Sequence, residues 1–131
     1  MAKQKVLFID DEKEFLDFMS LRIKGWGYDL TGLTSAKKTL EYLNKDKADI
    51  IILDFRLPDM DGAALLREMR KNGIKTPVIM FTAHPDEARI IRESKDLGIS
   101  AFIPKLSVYA EVSSLLKTAI ELALNKSIKE G

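Results

Sequence analysis

The sequence predicts an α/β domain, a doubly wound five-stranded parallel sheet in the order 2-1-3-4-5 with five helices on its two faces. Three observations carry this expectation. The run Ile50-Ile51-Ile52-Leu53 is short, apolar and rich in β-branched residues, as suits a strand covered on both faces in mid-sheet. Other strand-length runs alternate with segments of helical periodicity, and that alternation implies right-handed strand–helix–strand units. Finally, residues 28–33 are polar, and the run Ala101-Phe102-Ile103-Pro104 ends in proline. Polar composition and proline both belong at sheet edges, so strands 2 and 5 flank the sheet and strands 1 and 3 lie side by side where the winding reverses.

Each element has its own warrant. Val6-Leu7-Phe8-Ile9 is a buried strand that ends in Asp10-Asp11-Glu12. Residues 12–26 form a helix on the spacing of Leu16, Met19, Ile23 and Trp26, broadened by Phe15, with Gly25 and Gly27 as its stop. Ser35 caps a second helix whose inner face carries Ala36, Leu40 and Leu43, and the polar residues 44–47 lead to the central strand, 49–54. Pro58-Asp59-Met60-Asp61-Gly62 is a turn into a helix over about 62–72, with Leu65, Leu66 and Met69 inward and Gly73 after its end. Val78-Ile79-Met80-Phe81 is the fourth strand, with Thr82-Ala83 at its carboxyl end. A fourth helix spans about 85–97, opened by Pro85, Asp86 and Glu87 and closed by Gly98. Ser107 caps a last helix over about 107–125, and residues 126–131 form a polar tail expected to fray. That helix carries two apolar stripes, one of Val108, Val112, Leu115, Ala119 and Leu122, the other of Leu116, Ile120 and Ala123. One helix face cannot bury both against a sheet, so the surplus is either an interface or scattered surface apolar residues.

Composition bounds the function. The 131 residues suit one domain, with a core over about 4–125 and no second domain within 1–131. Basic residues number 21 and acidic residues 20, which gives no support to nucleic-acid binding through a basic surface. Cysteine is absent, so disulfides and thiolate metal sites are excluded. The N-terminal apolar run is too short for a signal peptide, and none approaches the ~20 residues that span a bilayer, so the expected location is the cytoplasm and no membrane contact is expected.

The chemically distinctive residues stand at strand carboxyl ends: Asp10 and Asp11 after the first strand, Asp54 after the third, Thr82 after the fourth and Lys105 after the fifth. Taken singly, each has a plain explanation. Asp54 starts a turn, and the Asp10-Asp11-Glu12 run caps a helix and favours its dipole, a role that suits Glu12 and Glu14 best. Taken together they converge on one end of the sheet. Three carboxylates so close repel unless a cation is present, and hard oxygen ligands suit Mg²⁺. A carboxylate nucleophile that accepts a phosphoryl group needs such a set, with the metal and Lys105 neutralising charge and the Thr82 hydroxyl hydrogen-bonding the product.

On these motifs the chain resembles the receiver domains of two-component response regulators, which are flavodoxin-like in topology. The resemblance rests on Asp10-Asp11, on the stretch Asp54-Phe55-Arg56-Leu57-Pro58-Asp59-Met60-Asp61-Gly62, on Thr82-Ala83 and on Phe102 ahead of Lys105, and it covers residues 4–125. It implies that Asp54 is the phosphoacceptor and that Asp11, Asp54 and the backbone carbonyl of Arg56 ligate Mg²⁺, with Asp10 acting through water. It also implies that Lys105 and Thr82 stabilise the phosphoryl group, that Thr82 and Phe102 form a switch pair, and that Arg56 and His84 tune the lifetime of the phosphorylated state. The implied partners are a sensor histidine kinase or histidine phosphotransfer protein and a downstream protein target, and a homodimer through helix 4, strand 5 and helix 5 is open to the surplus apolar residues. The resemblance further implies a signalling switch rather than an enzyme, either free-standing or part of a longer regulator.

One position departs from the family. Leu106 follows Lys105 where proline is usual, and a cis bond without proline would cost ~3 kcal/mol, so a trans Lys105–Leu106 bond is expected. Two other readings fit the motifs less well. An aspartyl-nucleophile phosphatase needs a second Asp two residues after the first, where Arg56 stands. A flavin domain needs a phosphate-binding loop, where Asp10-Asp11-Glu12 would repel the ligand.

Overall fold

The computed structural model describes residues 2–83, 88–106 and 108–130. Its elements alternate as β1 (Lys5–Ile9), α1 (Lys13–Gly25), β2 (Asp29–Leu33), α2 (Ala36–Lys45), β3 (Ile50–Asp54), α3 (Gly62–Lys71), β4 (Val78–Thr82), α4 (Ala88–Asp96), β5 (Ala101–Pro104) and α5 (Tyr109–Glu130). The strands form one sheet in the order β2-β1-β3-β4-β5, with every neighbouring pair parallel. This is the topology the sequence predicts, with β2 and β5 outermost.

Strand alternation divides the core into two layers. Val6, Phe8, Ile50, Ile52, Ile79, Phe81 and Ile103 point to one face, where Phe15, Met19 and Ile23 of α1 meet Val112, Leu116 and Ile120 of α5. Leu7, Ile9, Ile51, Leu53, Val78 and Met80 point to the other face, against Leu65, Leu66 and Met69 of α3 and Ala36 of α2. Because β3 and β4 are buried at every position, their ends are held by packing on both sides. Phe8, Phe15 and Phe81 form an aromatic group beneath the carboxyl ends of β1 and β4, with Phe15 and Phe81 edge-to-face at 5.6 Å.

Boundaries differ from expectation in places. The fourth helix is described from Ala88, and the predicted opening residues Pro85, Asp86 and Glu87 lie outside the described residues, as does Ser107. The helical backbone of α5 continues to Glu130, beyond the expected end near 125, with neither proline nor glycine between. Its apolar residues also regroup. Val112 joins Leu116, Ile120, Ala123 and Leu124 in the core, while Val108, Leu115 and Leu122 stay exposed at seven-residue intervals. The described peptide bonds, Lys105–Leu106 among them, are trans.

Two features fix the turn between β3 and α3. A Cβ on Gly62 would lie 2.7 Å from the Asp54 carbonyl oxygen and 2.9 Å from the Phe55 Cα, so only glycine lets α3 begin against the end of β3. Asp61 then caps α3 by accepting from the Ala64 N–H at 2.7 Å. Asp59 crosses to the neighbouring helix, its two carboxylate oxygens accepting from the N–H groups of Ala36 at 2.9 Å and Lys37 at 2.8 Å. With Ser35 accepting from Lys38, three open N–H groups of α2 are satisfied. The N–H of Ala36, and then that of Lys37, hold the Asp59 carboxyl below the usual carboxylate range.

Gly62→Ala is expected to lower unfolding free energy by about 1–3 kcal/mol, because backbone rather than a flexible side chain must yield; urea denaturation measures this. Asp59→Ala is expected to cost ~1 kcal/mol at neutral pH. Since folding depresses the Asp59 pKa, that cost is full above the ordinary carboxylate value and disappears as pH falls through the folded value, so denaturation at pH 7 and in acid should differ in that sense.

Candidate functional site

The carboxyl ends of β1, β3 and β5 deliver three charged side chains to one point. Asp10 directly follows Ile9 and is fully buried, its own N–H tied to the Leu33 carbonyl at 3.0 Å. Asp54 closes β3 and is 5% exposed. The loop after β5 turns Lys105 back over the sheet, its N–H donating to the Thr82 carbonyl at 2.7 Å. The Lys105 side chain is 7% exposed, and its ammonium stands 4.6 Å from the centre of the Phe15 ring.

The ammonium is shared among three carboxylates. Nζ lies 2.8 Å from Glu12 Oε1, 2.9 Å from Asp10 Oδ2 and 3.4 Å from Asp54 Oδ2. Asp10 Oδ1 also accepts from the Glu12 N–H at 2.8 Å. Asp54 Oδ1 faces the Arg56 N–H at 3.5 Å, a long contact. Thr82, 1% exposed, stands at the end of β4, the strand paired with β3 on one side and β5 on the other.

Electrostatics follow from this crowding. Burial first, and the neighbouring Asp10 charge second, push the Asp54 carboxyl up to about 7 against the pull of Lys105. Burial also raises Asp10, although Lys105 and the Glu12 N–H oppose it. Burial alone would lower Lys105, but its hydrogen bonds to Glu12 and Asp10 and the charges of Asp54 and Asp10 outweigh that and leave it raised.

The donor set suits a hard divalent cation. Carboxylate oxygens of Asp10, Glu12 and Asp54 lie within 4.8 Å of one another. Asp10 Oδ2 is buried and, among the described residues, finds no properly directed hydrogen bond, although the ammonium is close. Three carboxylates with one ammonium leave an excess of negative charge when all are ionised. Oxygen-only ligands, a local anionic excess and an under-used buried oxygen are what Mg²⁺ requires.

Of the residues singled out in the sequence, Asp10, Asp54 and Lys105 come together, and Thr82 lies on the same edge. Asp11 is exposed and stands outside the close group of three. Glu12 takes the third place; although it is the N-cap of α1, its side chain makes no capping bond and reaches Lys105 instead. Sequence reasoning gave Glu12 only a capping role, and the cue available was its place in the Asp10-Asp11-Glu12 run. Phe102 is half-buried on β5, opposite Met80, and packs against the layer of α2 and α3. Arg56 is exposed two residues after Asp54. His84 lies outside the described residues.

Comparison with known proteins bears on the family and the fold. The response regulator receiver domain, as a family pattern, matches residues 6–117. Among curated proteins the chain is 30% identical over 117 residues to the regulatory protein VanRc of Enterococcus gallinarum, covering 89% of this chain and 50% of that protein. It is 33% identical over 103 residues to the transcriptional regulatory protein GlrR of Escherichia coli K12, covering 76% and 22% respectively. The chain thus spans about half or less of these relatives' length. Among solved structures, a CheY-like receiver domain protein from Methanospirillum hungatei superposes with a TM-score of 0.89 at 25% identity, covering 99% of this chain and 100% of that one. A Francisella response regulator receiver domain gives 0.82 at 28% identity, covering 95% and 98%.

The raised Asp54 pKa sets a pH dependence for the metal-free chain. The folded state keeps a proton that the unfolded chain releases near pH 4, so stability falls as pH rises from there to about 7. Asp54→Asn removes this penalty. In EDTA its stability advantage over wild type is expected to grow by on the order of 2 kcal/mol between pH 5 and pH 8; parallel urea titrations at the two pH values test it.

Proposed function

The chain belongs to the response regulator receiver domain family of two-component signalling, and from that premise we propose that Asp54 takes a phosphoryl group from a phosphohistidine. The donor is a partner histidine kinase or histidine phosphotransfer protein. The observation that carries the reading is the convergence of Asp54, Asp10 and Lys105 on one buried point at the carboxyl end of the sheet. In the transfer an Asp54 oxygen attacks phosphorus, the phosphorus–nitrogen bond to the donor imidazole breaks, and an acyl phosphate forms.

The residues divide the labour. Lys105 is already charged and desolvated beside Asp54, so a positive charge is at hand for an incoming phosphoryl oxygen. The Thr82 hydroxyl, on the adjoining strand end, is suited to hydrogen-bond the product, and its backbone ties it to Lys105. Asp54, Asp11 and the Arg56 carbonyl would hold Mg²⁺, with Asp10 acting through water. When bound, the ion supplies positive charge for the phosphoryl oxygens and lowers the acceptor's pKa.

Phosphorylation then biases a two-state element. Thr82 at the end of β4 and Phe102 on adjacent β5 are the proposed switch pair, and Arg56 and His84 the residues that set the lifetime of the acyl phosphate. Output passes by protein contact to a downstream target. Exposed Val108, Leu115 and Leu122 support a protein-contact surface around α5, with a homodimer through α4, β5 and α5 as one form of it. We read residues 1–131 as one receiver domain acting in the cytoplasm as a switch and not as a turnover enzyme. No helix of the described residues is long and apolar enough to cross a membrane.

Intact mass after incubation with acetyl phosphate and Mg²⁺ tests the proposal. The expected result is a labile gain of one phosphoryl group, absent in Asp54→Asn and abolished by EDTA. A gain retained in Asp54→Asn would assign the acceptor elsewhere.

A further inference from the structure

The Lys105 ammonium is closest to Glu12 and furthest from Asp54, at 2.8 Å and 3.4 Å. The two residues differ in standing. Asp54 and Asp10 are buried, whereas the Glu12 side chain is 61% exposed. It stands at the N-cap of α1, where a side chain ordinarily bonds the helix's own N–H groups, yet it makes no such bond and engages a lysine 93 positions away. Its backbone is fixed by the Asp10 carboxylate, and Lys105 is supported from the other side by the Phe15 ring. Glu12 is therefore held in place to compete for the Lys105 ammonium.

We infer that Glu12 is a latch on Lys105, a positioning residue that holds the ammonium away from Asp54 and slows phosphoryl uptake until the lysine is released. The inference rests on the phosphoacceptor reading of Asp54. A lysine has three donors, and in this site four carboxylate oxygens lie within reach of them. An incoming phosphoryl group must win the ammonium from Glu12 and Asp10. Asp10 is buried and cannot turn to water, but Glu12 can, so Glu12 is the partner that yields. Its ion pair sets how readily the lysine moves.

The test compares wild type, Glu12→Gln and Glu14→Gln as whole chains with acetyl phosphate and saturating Mg²⁺. In that reaction the phosphorus–oxygen bond to acetate breaks, acetate leaves with the electron pair, and the new bond forms to Asp54. Glu14 is exposed in the first turn of α1 and stands outside the carboxylate group that shares Lys105, so its variant removes the same charge beside the site and leaves those ion pairs in place. Glu12→Gln is expected to raise the phosphorylation rate about three- to tenfold, and Glu14→Gln to leave it unchanged. In metal-free protein, nitrogen NMR of the Lys105 ammonium should show a shifted resonance and faster proton exchange in Glu12→Gln alone. An unaltered rate in Glu12→Gln, an equal acceleration in both variants, or an unmoved ammonium resonance overturns the latch while leaving Asp54 as acceptor. A wild-type chain that takes up no phosphoryl group overturns the acceptor reading, and the latch with it.

Discussion

A single ammonium shared among three carboxylates is the constraint on which the rest of this structure bears. Burying Asp10 and Asp54 side by side is unfavourable in itself, and Lys105 offsets part of that cost without removing it, as the raised Asp54 shows. A stretch of backbone secures each member. β1 and β3 are neighbours in register, Ile9 opposite Leu53, and this sets Asp10 beside Asp54. β5 pairs with β4 at Thr82 and Pro104, and that pairing brings Lys105 over the sheet. The aromatic group of Phe8, Phe15 and Phe81 fills the space beneath, so the charges rest on an apolar floor instead of on water.

The same arrangement explains why the site is poised rather than inert. An ion pair satisfied on all sides would be a structural element with no chemistry left in it. Here one buried Asp10 oxygen lacks a directed hydrogen bond and the lysine contact to Asp54 is long. The site has unused capacity for a cation and an anion together, which is the combination a magnesium ion with a phosphoryl group would bring.

Much of this was legible in the sequence, and what was not has a common cause. Strand alternation and the polar or proline-bearing edges specify the sheet order, because burial on two faces leaves a direct mark on composition. Asp54, Asp10, Thr82 and Lys105 could be assigned to one end of the sheet because each follows an apolar run, and a strand's end is a local property. The side-chain partnerships were hidden because they are not local. Glu12 looks like a helix cap until a lysine 93 residues later is brought beside it. Asp59 looks like a turn residue until α2 presents two N–H groups to it from 22 and 23 residues earlier. On α5, periodicity put Val112 in the stripe of Leu115 and Leu122, whereas packing against the sheet buries it with Leu116 and Ile120.

The contact between Lys105 and Asp10 spans 95 positions, from the end of the first strand to the end of the last. During synthesis, therefore, Asp10 and Asp54 emerge as ordinary solvated acids. They acquire their shared cation only after nearly the whole domain has left the ribosome and β5 has docked. The site in this chain is a property of completion: a nascent or proteolytically shortened chain that ends before Lys105 carries Asp10 and Asp54 without the ammonium they share.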